Sequence, residues 1–210
     1  MRIAAIVPAY NEAMTVRHVI HVLQRVEEVD EIIVVNDGST DRTAEIVAEE
    51  LGVVLVNLPE NRGKGGALKA GLDVTQAQTL VLLDADLVGL RVEHVRALME
   101  PVLSGRADAA IGVFVEGRPS TDIAQRILPQ LSGQRCIKRE LLETANIAGT
   151  RFGVEVALTR HLEEMRARLE EVHLPHLTHY TKEEKMGFWR GLQARLMMYY
   201  EVARILVGRG

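Results

Sequence analysis

An α/β fold built on an open, mostly parallel sheet is predicted by three observations. Apolar runs bounded by turn residues recur along the first half of the chain, segments with helical apolar spacing lie between them, and the runs are apolar throughout rather than alternating. Continuously apolar strands belong to sheets covered by helices on both faces, whereas alternation marks a sheet with one wet face. The runs place strands at 3–7, 31–35, 53–58 and 79–83, with a further one at 107–113. Helical spacing falls at 14–28, 40–51, 65–75 and 92–104.

Beyond position 115 the repeat breaks into a Gly/Pro-punctuated stretch, Glu116-Gly117-Arg118-Pro119-Ser120, followed by short amphipathic segments up to Leu142. A helix is expected over 155–171 and a strand over 172–179, and a basic, apolar-striped helix should run from 182 to 207. The expected organisation is one domain over 1–181, with halves at 1–115 and 116–181, and a C-terminal helical extension over 182–210.

With 210 residues the chain can enclose one substantial core. Hydrophobic residues are 47%, charged residues 26% and the formal net charge is −4, which describes a soluble globular protein and argues against a nucleic-acid partner. Cys136 is the single cysteine, so an intramolecular disulfide and a cysteine-cluster metal site are both excluded. The first apolar run is too short for a signal peptide, and no run approaches the roughly 20 apolar residues that span a bilayer. A cytoplasmic protein is expected.

In open parallel sheets ligands bind outside the carboxyl ends of the strands. The residues there are polar in every case: Pro8-Ala9-Tyr10-Asn11-Glu12, Asn36-Asp37-Gly38-Ser39-Thr40-Asp41, Glu60-Asn61-Arg62-Gly63-Lys64-Gly65-Gly66 and Asp84-Ala85-Asp86. Asp84 and Asp86 are hard oxygen ligands suited to Mg²⁺ or Mn²⁺, ions that keep open positions for substrate phosphates. Arg62 to Gly66 opens a helix, whose free N–H groups and dipole favour an anion, and Lys64 adds a positive charge. Neither a P-loop nor the Gly-x-Gly-x-x-Gly fingerprint of dinucleotide-binding oxidoreductases is present. Asp37, Ser39 and Asp41 also suit a turn and helix cap, with Ser39 or Thr40 capping and Asp37 facing the rim.

Taken together, these four motifs in this order resemble the family 2 glycosyltransferases of the GT-A fold. The resemblance implies a Rossmann-like nucleotide-binding half over 1–115, an acceptor half over 116–181 and a donor that is a UDP- or GDP-sugar. It implies that Pro8, Ala9, Tyr10 and Glu12 line base and ribose, that Asp37 contacts the base, and that Lys64 lies near base or phosphates. Asp84, Ala85 and Asp86 would hold ribose and metal-bound diphosphate, so Asp84 and Asp86 belong to the catalytic set. Leu131-Ser132-Gly133-Gln134-Arg135 is similar to the acceptor loop of polyprenyl-phosphate and phosphoglycerate glycosyltransferases, which makes Ser132, Gly133 and Arg135 acceptor candidates and Arg135 a contact for an acceptor phosphate. Phe152-Gly153-Val154-Glu155 looks like the Tyr-Gly-Val-Glu segment of glucosyl-3-phosphoglycerate synthases, which sets Glu155 against the donor sugar as the third catalytic candidate. The helix dipole alone also favours a glutamate at that position.

His173, His176 and His179 are spaced three apart, so a strand cannot put all three on one face and a three-histidine zinc site is not expected. In several metal-dependent GT-A enzymes a C-terminal histidine completes the cation site, and His179, ahead of His176, is the candidate beside Asp86. The cationic C-terminal stripe fits either the inner face of a membrane, as a lipid-phosphate acceptor would require, or packing on its own domain or a second copy. Asp86 is followed by Leu87-Val88-Gly89-Leu90-Arg91 rather than the proline-containing turn of polyprenyl-phosphate mannosyltransferases, and the Gln/Arg-x-x-Arg-Trp motif of processive synthases is absent. A non-processive hexosyltransferase is therefore expected. The alternatives are a sugar-phosphate nucleotidylyltransferase, whose Gly-rich basic first loop Pro8 to Glu12 does not supply, and a non-catalytic nucleotide-sugar-binding domain.

Overall fold

The computed structural model of the chain describes residues 1–115, 132–147 and 153–180. Its elements in order are β1 (Ile3–Ala9), α1 (Val16–Leu23), β2 (Glu31–Asp37), α2 (Thr43–Ala48), β3 (Val53–Leu58), α3 (Gly63–Asp73), β4 (Thr79–Leu82), β5 (Leu87–Val88), α4 (Val92–Leu103), β6 (Ala109–Val115), β7 (Arg135–Lys138), α5 (Arg139–Glu143), α6 (Val154–Glu164), β8 (Leu169–Pro175) and β9 (Thr178–His179). Residues 1–178 form one compact unit, the boundary falling inside β9. The helix expected over 182–207 and the stretch 116–120 lie outside the described residues.

Seven strands make one sheet in the order β3-β2-β1-β4-β7-β6-β8, and β5 pairs with β9 in a small second sheet. β3, β2, β1 and β4 are parallel neighbours; β7 is antiparallel to both β4 and β6, and β6 is parallel to β8. The expected open, mostly parallel sheet is therefore present, with β7 the one reversed strand in it. Strand alternation sends the side chains of β1 to both layers. Ile3, Ala5 and Val7 join a core with Val19, Ile20 and Leu23 of α1 and Leu98 and Met99 of α4, while Ala4 and Ile6 join another with Leu68 and Leu72 of α3 and Leu158 and Leu162 of α6. Burying one such Leu or Ile stabilises by about 1.5–3 kcal/mol, so two separate cores explain why every β1 position is apolar.

Among the boundaries that differ from those expected, three have a local cause. The helix over 155–171 ends at Glu164: Arg166 adopts a left-handed φ of 54° and the Ala167 N–H turns back to Leu162 O at 2.9 Å. Leu169 to Glu171 then pair with Ala109 to Ile111, so the cross-strand ladder takes residues that helical periodicity alone assigns to α6. The strand over 172–179 is interrupted at His176, whose φ is 58°, leaving β8 and β9. At α2, Asp41 rather than Ser39 or Thr40 accepts the Thr43 N–H at 2.9 Å, and the helix begins only at Thr43.

β7 is the addition that matters for the site. Because it runs against its neighbours, its first residue, Arg135, lies opposite Leu82, the last residue of β4. The residues just before it therefore arrive at the edge where the parallel strands end.

Candidate active site

The loops after β1, β2 and β3 are tied together through short polar side chains. Asn11, at φ 57°, donates its N–H to Ser39 Oγ at 2.9 Å, and its Oδ1 accepts the Thr40 N–H at 2.8 Å. The Glu12 N–H donates to Thr43 Oγ1 at 2.8 Å, and Glu12 Oε2 accepts the Thr15 hydroxyl at 3.1 Å. Asp37 is buried and its Oδ1 accepts the Arg62 N–H at 2.7 Å, which fixes the start of α3. Gly38 has φ 69°, and a Cβ there would meet the Glu60 and Asn61 backbone at 2.7 Å, so the two loops touch through backbone alone. Of the residues expected to line base and ribose, Tyr10 is exposed, Pro8 and Glu12 are half-buried, and Ala9 is buried.

Lys64, in the first turn of α3, lies between two carboxylates. Its Nζ donates to Glu155 Oε1 at 2.7 Å and pairs with Asp84 Oδ1. The three side chains are 23%, 18% and 19% exposed for Lys64, Asp84 and Glu155, so the row is recessed but open to solvent. Burial on its own would lower the Lys64 ammonium, but Asp84 and then Glu155 more than offset it and hold the group above the usual lysine range.

The segment 132–135 supports this row from below. A Cβ at Gly133 would lie 2.3 Å from Lys64 Nζ and 2.5 Å from Asp84 Oδ2, so a side chain there would displace the Lys64–Asp84 pair. Gln134 is fully buried; its Nε2 donates to Asp84 Oδ2 at 3.1 Å and its Oε1 accepts the Asp84 N–H at 3.2 Å. Arg135, 1% exposed, donates from Nη2 to Glu155 O at 2.9 Å and Thr159 Oγ1 at 2.7 Å, and from Nε to Ser132 O at 3.2 Å. Burial pulls its guanidinium down to about 10, opposed by Glu155. The Ser132 hydroxyl donates to Gly112 O. Among the described residues, Ser132 and Arg135 are thus interior side chains that brace the site.

Asp84 and Asp86 each offer a carboxylate oxygen, and His179 a ring nitrogen, all within 4.8 Å of one another. Two hard carboxylates and an imidazole are a donor set that fits Mg²⁺ or Mn²⁺. Of the three C-terminal histidines, His179 joins this group, whereas His176 turns the chain and bonds the Val115 carbonyl through its N–H at 2.9 Å. Ala85, between the two aspartates, is 2% exposed and anchors the loop in the core. Gln134 and Thr159 were not singled out by sequence. The signal for Gln134 was its place inside the Ser132 to Arg135 motif, and for Thr159 its position one helical turn beyond Glu155.

An open sheet with these groups gathered at its carboxyl edge defines an α/β protein of the GT-A type. The chain belongs to glycosyl transferase family 2, whose family model matches residues 4–162. Glucosyl-3-phosphoglycerate synthase of Mycobacterium tuberculosis is 30% identical over 194 residues, covering 74% of this chain and 59% of that protein. Glycosyltransferase AglD of Haloferax volcanii is 34% identical over 122 residues, 53% of this chain and 19% of that protein. The chain thus spans about three fifths of the synthase and about one fifth of AglD. A crystal structure of the mycobacterial synthase with Mn²⁺, uridine diphosphate and phosphoglyceric acid matches with a TM-score of 0.79 at 26% identity, covering 99% of this chain and 78% of that one. Another crystal structure of that synthase contains Mg²⁺ and uridine diphosphate.

Proposed function

We propose that this protein is a metal-dependent, non-processive hexosyltransferase that moves a sugar from a nucleoside-diphosphate sugar, UDP- or GDP-linked, to a phosphate-bearing acceptor. The observation that carries the reading is the row Asp84–Lys64–Glu155 beside Asp86 and His179 at the carboxyl edge of the sheet. Family membership and the likeness to a synthase crystallised with uridine diphosphate, Mn²⁺ and phosphoglyceric acid support it.

In this reading Tyr10, with Pro8, Ala9 and Glu12, lines base and ribose. Asp37 holds the Arg62 N–H so that α3 presents its first turn and Lys64 to the diphosphate. Asp84, Asp86 and His179 would hold Mg²⁺ or Mn²⁺, which when bound neutralises charge on the leaving diphosphate. Lys64 adds a fixed cation where that charge develops, and a preorganised charge in a recessed site needs no reorganisation during the reaction. Glu155, held by Lys64, faces the position of the donor sugar. Gly133, with the side chains of Ser132 and Arg135 buried beside it, lies in the segment that would receive the acceptor's phosphate.

Among the described residues no helix is long and apolar enough to cross a membrane. A cytoplasmic setting is part of the proposal and suits Cys136, whose thiol burial pushes up to about 12. Contact with the inner membrane face or a second copy through residues 182–210 belongs to the same proposal, since that segment lies outside the described residues.

Thermal unfolding with UDP, GDP, TDP and their sugar conjugates, each with and without Mn²⁺, tests the donor site, because a ligand at about 100 times its dissociation constant adds roughly 2.7 kcal/mol. A metal-dependent rise with one nucleotide selects the donor. Turnover is then assayed with 3-phosphoglycerate, glycerol 3-phosphate and a polyprenyl phosphate. No rise with any nucleotide would sink the reading.

A further inference from the structure

We propose that Gln134 is the positioning residue for Asp84, fixing the rotation of its carboxylate from the residue just before the reversed strand. The proposal rests on the donor-site reading for its consequence in binding, but its geometric core stands apart from it.

Asp84 lies at the point where β4 has ended, where a side chain on its own would choose among rotamers. Gln134 removes that freedom by using both ends of one amide: Oε1 takes the Asp84 backbone N–H at 3.2 Å, and Nε2 reaches round to Oδ2 at 3.1 Å. The other oxygen, Oδ1, pairs with Lys64. A carboxylate whose two oxygens are assigned to different donors has one orientation, and Asp84 is also one of the three residues whose ligand atoms converge for a cation.

The holder is itself rigid. Gln134 is 0% exposed, and its N–H meets Ser132 Oγ at 3.3 Å, while the Ser132 hydroxyl bonds Gly112 of β6. Arg135 does the matching work for Glu155, bonding its backbone carbonyl and Thr159, so that the first turn of α6 is pinned with the Glu155 side chain on Lys64. Both carboxylates of the row are therefore oriented by consecutive residues of one buried segment. Groups that hold a ligand's own donors commonly change metal affinity by about 10–100-fold when removed.

The test is a double-mutant cycle read on UDP affinity with and without Mn²⁺. Gln134→Leu keeps the volume and removes both bonds. It should weaken Mn²⁺-dependent UDP binding about 10-fold and leave metal-free UDP binding within about 2-fold. In an Asp84→Ala background the same substitution should change neither by more than about 2-fold, since the effect passes through Asp84. Gln134→Glu, which keeps the acceptor for the Asp84 N–H and loses the donor to Oδ2, supplies the same readout where the leucine variant does not fold. Equal weakening with and without metal, or an undiminished effect when Asp84 is absent, overturns the proposal. Should the wild-type protein bind no nucleotide at all, the donor reading fails by itself. The positioning claim is then decided by the crystal structure of either variant: a rotated Asp84 carboxylate upholds it, and an unmoved one overturns it.

Discussion

The two sides of the carboxyl edge are built on different physical chemistry. On the β1–β2–β3 side, the loops are joined by neutral or singly charged short side chains bonding backbone N–H groups, as Asn11 does with Thr40, Thr43 with Glu12 and Asp37 with Arg62. On the β4–β7–α6 side, full charges stand against one another: Lys64 with Asp84 and Glu155, and Arg135 beneath them. Backbone-directed bonds fix shape at little electrostatic cost, which suits a flat base and ribose. Facing charges are costly to desolvate and are retained where a reaction moves charge. In the proposed function the edge thus separates recognition of a surface from management of a charge.

The largest effect should come from the charged side. Asp86→Ala removes a member of the cation-fitting cluster and leaves Lys64, Asp84 and Glu155 in place, so Mn²⁺-dependent UDP affinity should fall by at least about 100-fold while the thermal midpoint stays within a few degrees. Unchanged metal-dependent affinity would mean that the charged side does not hold the cation. Gly38→Ala probes the other side. It combines a left-handed φ, costing about 1–2 kcal/mol for a side chain, with a Cβ 2.7 Å from the Glu60 and Asn61 backbone, so urea unfolding should report a loss of about 2–3 kcal/mol. A loss below about 1 kcal/mol would show that the shape-fixing side yields easily, and the contrast between the two sides would fail.

Lys64→Met sharpens the same contrast. Removing one partner of a buried pair costs about 3–5 kcal/mol, and at roughly one-fifth exposure solvent screening brings that to about 2 kcal/mol. The folded-state value of Lys64 is raised, so its stabilising contribution is fully present below the unfolded lysine value of about 10.4 and is lost as pH rises through the raised one. The stability gap between wild type and Lys64→Met should therefore hold from pH 7 to about pH 10 and narrow only in more alkaline solution. A gap that already closes by pH 9 would show that the lysine is not held by its two carboxylates.

The two sides were also unequally legible in the sequence. Apolar runs and the polar quartets after them located β1 to β4 and their rim, because parallel strands covered on both faces leave a continuous apolar signature. Asp84, Asp86, Lys64 and Glu155 carried recognisable motifs, and His179 was separable from His176 by its place at the strand end. β7 was not legible: four residues, Arg135 to Lys138, with a charge at each end give no strand period, and the sheet that accepts them is made by residues more than 50 positions earlier and 20 earlier. The same blindness hid the buried setting of Arg135, since nothing local distinguishes an arginine on a loop from one whose guanidinium bonds a helix carbonyl 20 residues on. The end of α6 was missed for a similar reason, as Leu169 to Glu171 keep helical spacing and are claimed by pairing with β6.

Asp108 asks whether charge bracing in the mixed half serves the site or only the sheet. It lies before β6, away from the Lys64 row, and its carboxylate accepts Lys138 Nζ at 2.6 Å, Arg168 Nη2 at 2.9 Å and Nε at 3.0 Å, and the Arg168 N–H at 3.0 Å. Those bonds join the end of β7 to the start of β8. Arg168 first, then Lys138, hold the carboxyl well below the usual carboxylate range. A lowered folded value means that its contribution is present above the unfolded value of about 3.9 and is lost as pH falls through the lowered one. With the carboxylate 20% exposed, Asp108→Asn should cost about 1 kcal/mol at pH 7, a gap that persists down to about pH 4 and shrinks below it. Mn²⁺-dependent UDP affinity should stay within about 2-fold, because the bracket reaches neither Asp84 nor Glu155. A loss of affinity comparable to that of Asp86→Ala would instead mean that the sheet transmits strain along β7 to Gln134 and Arg135, and the charged side would have to be redrawn to include both ends of that strand.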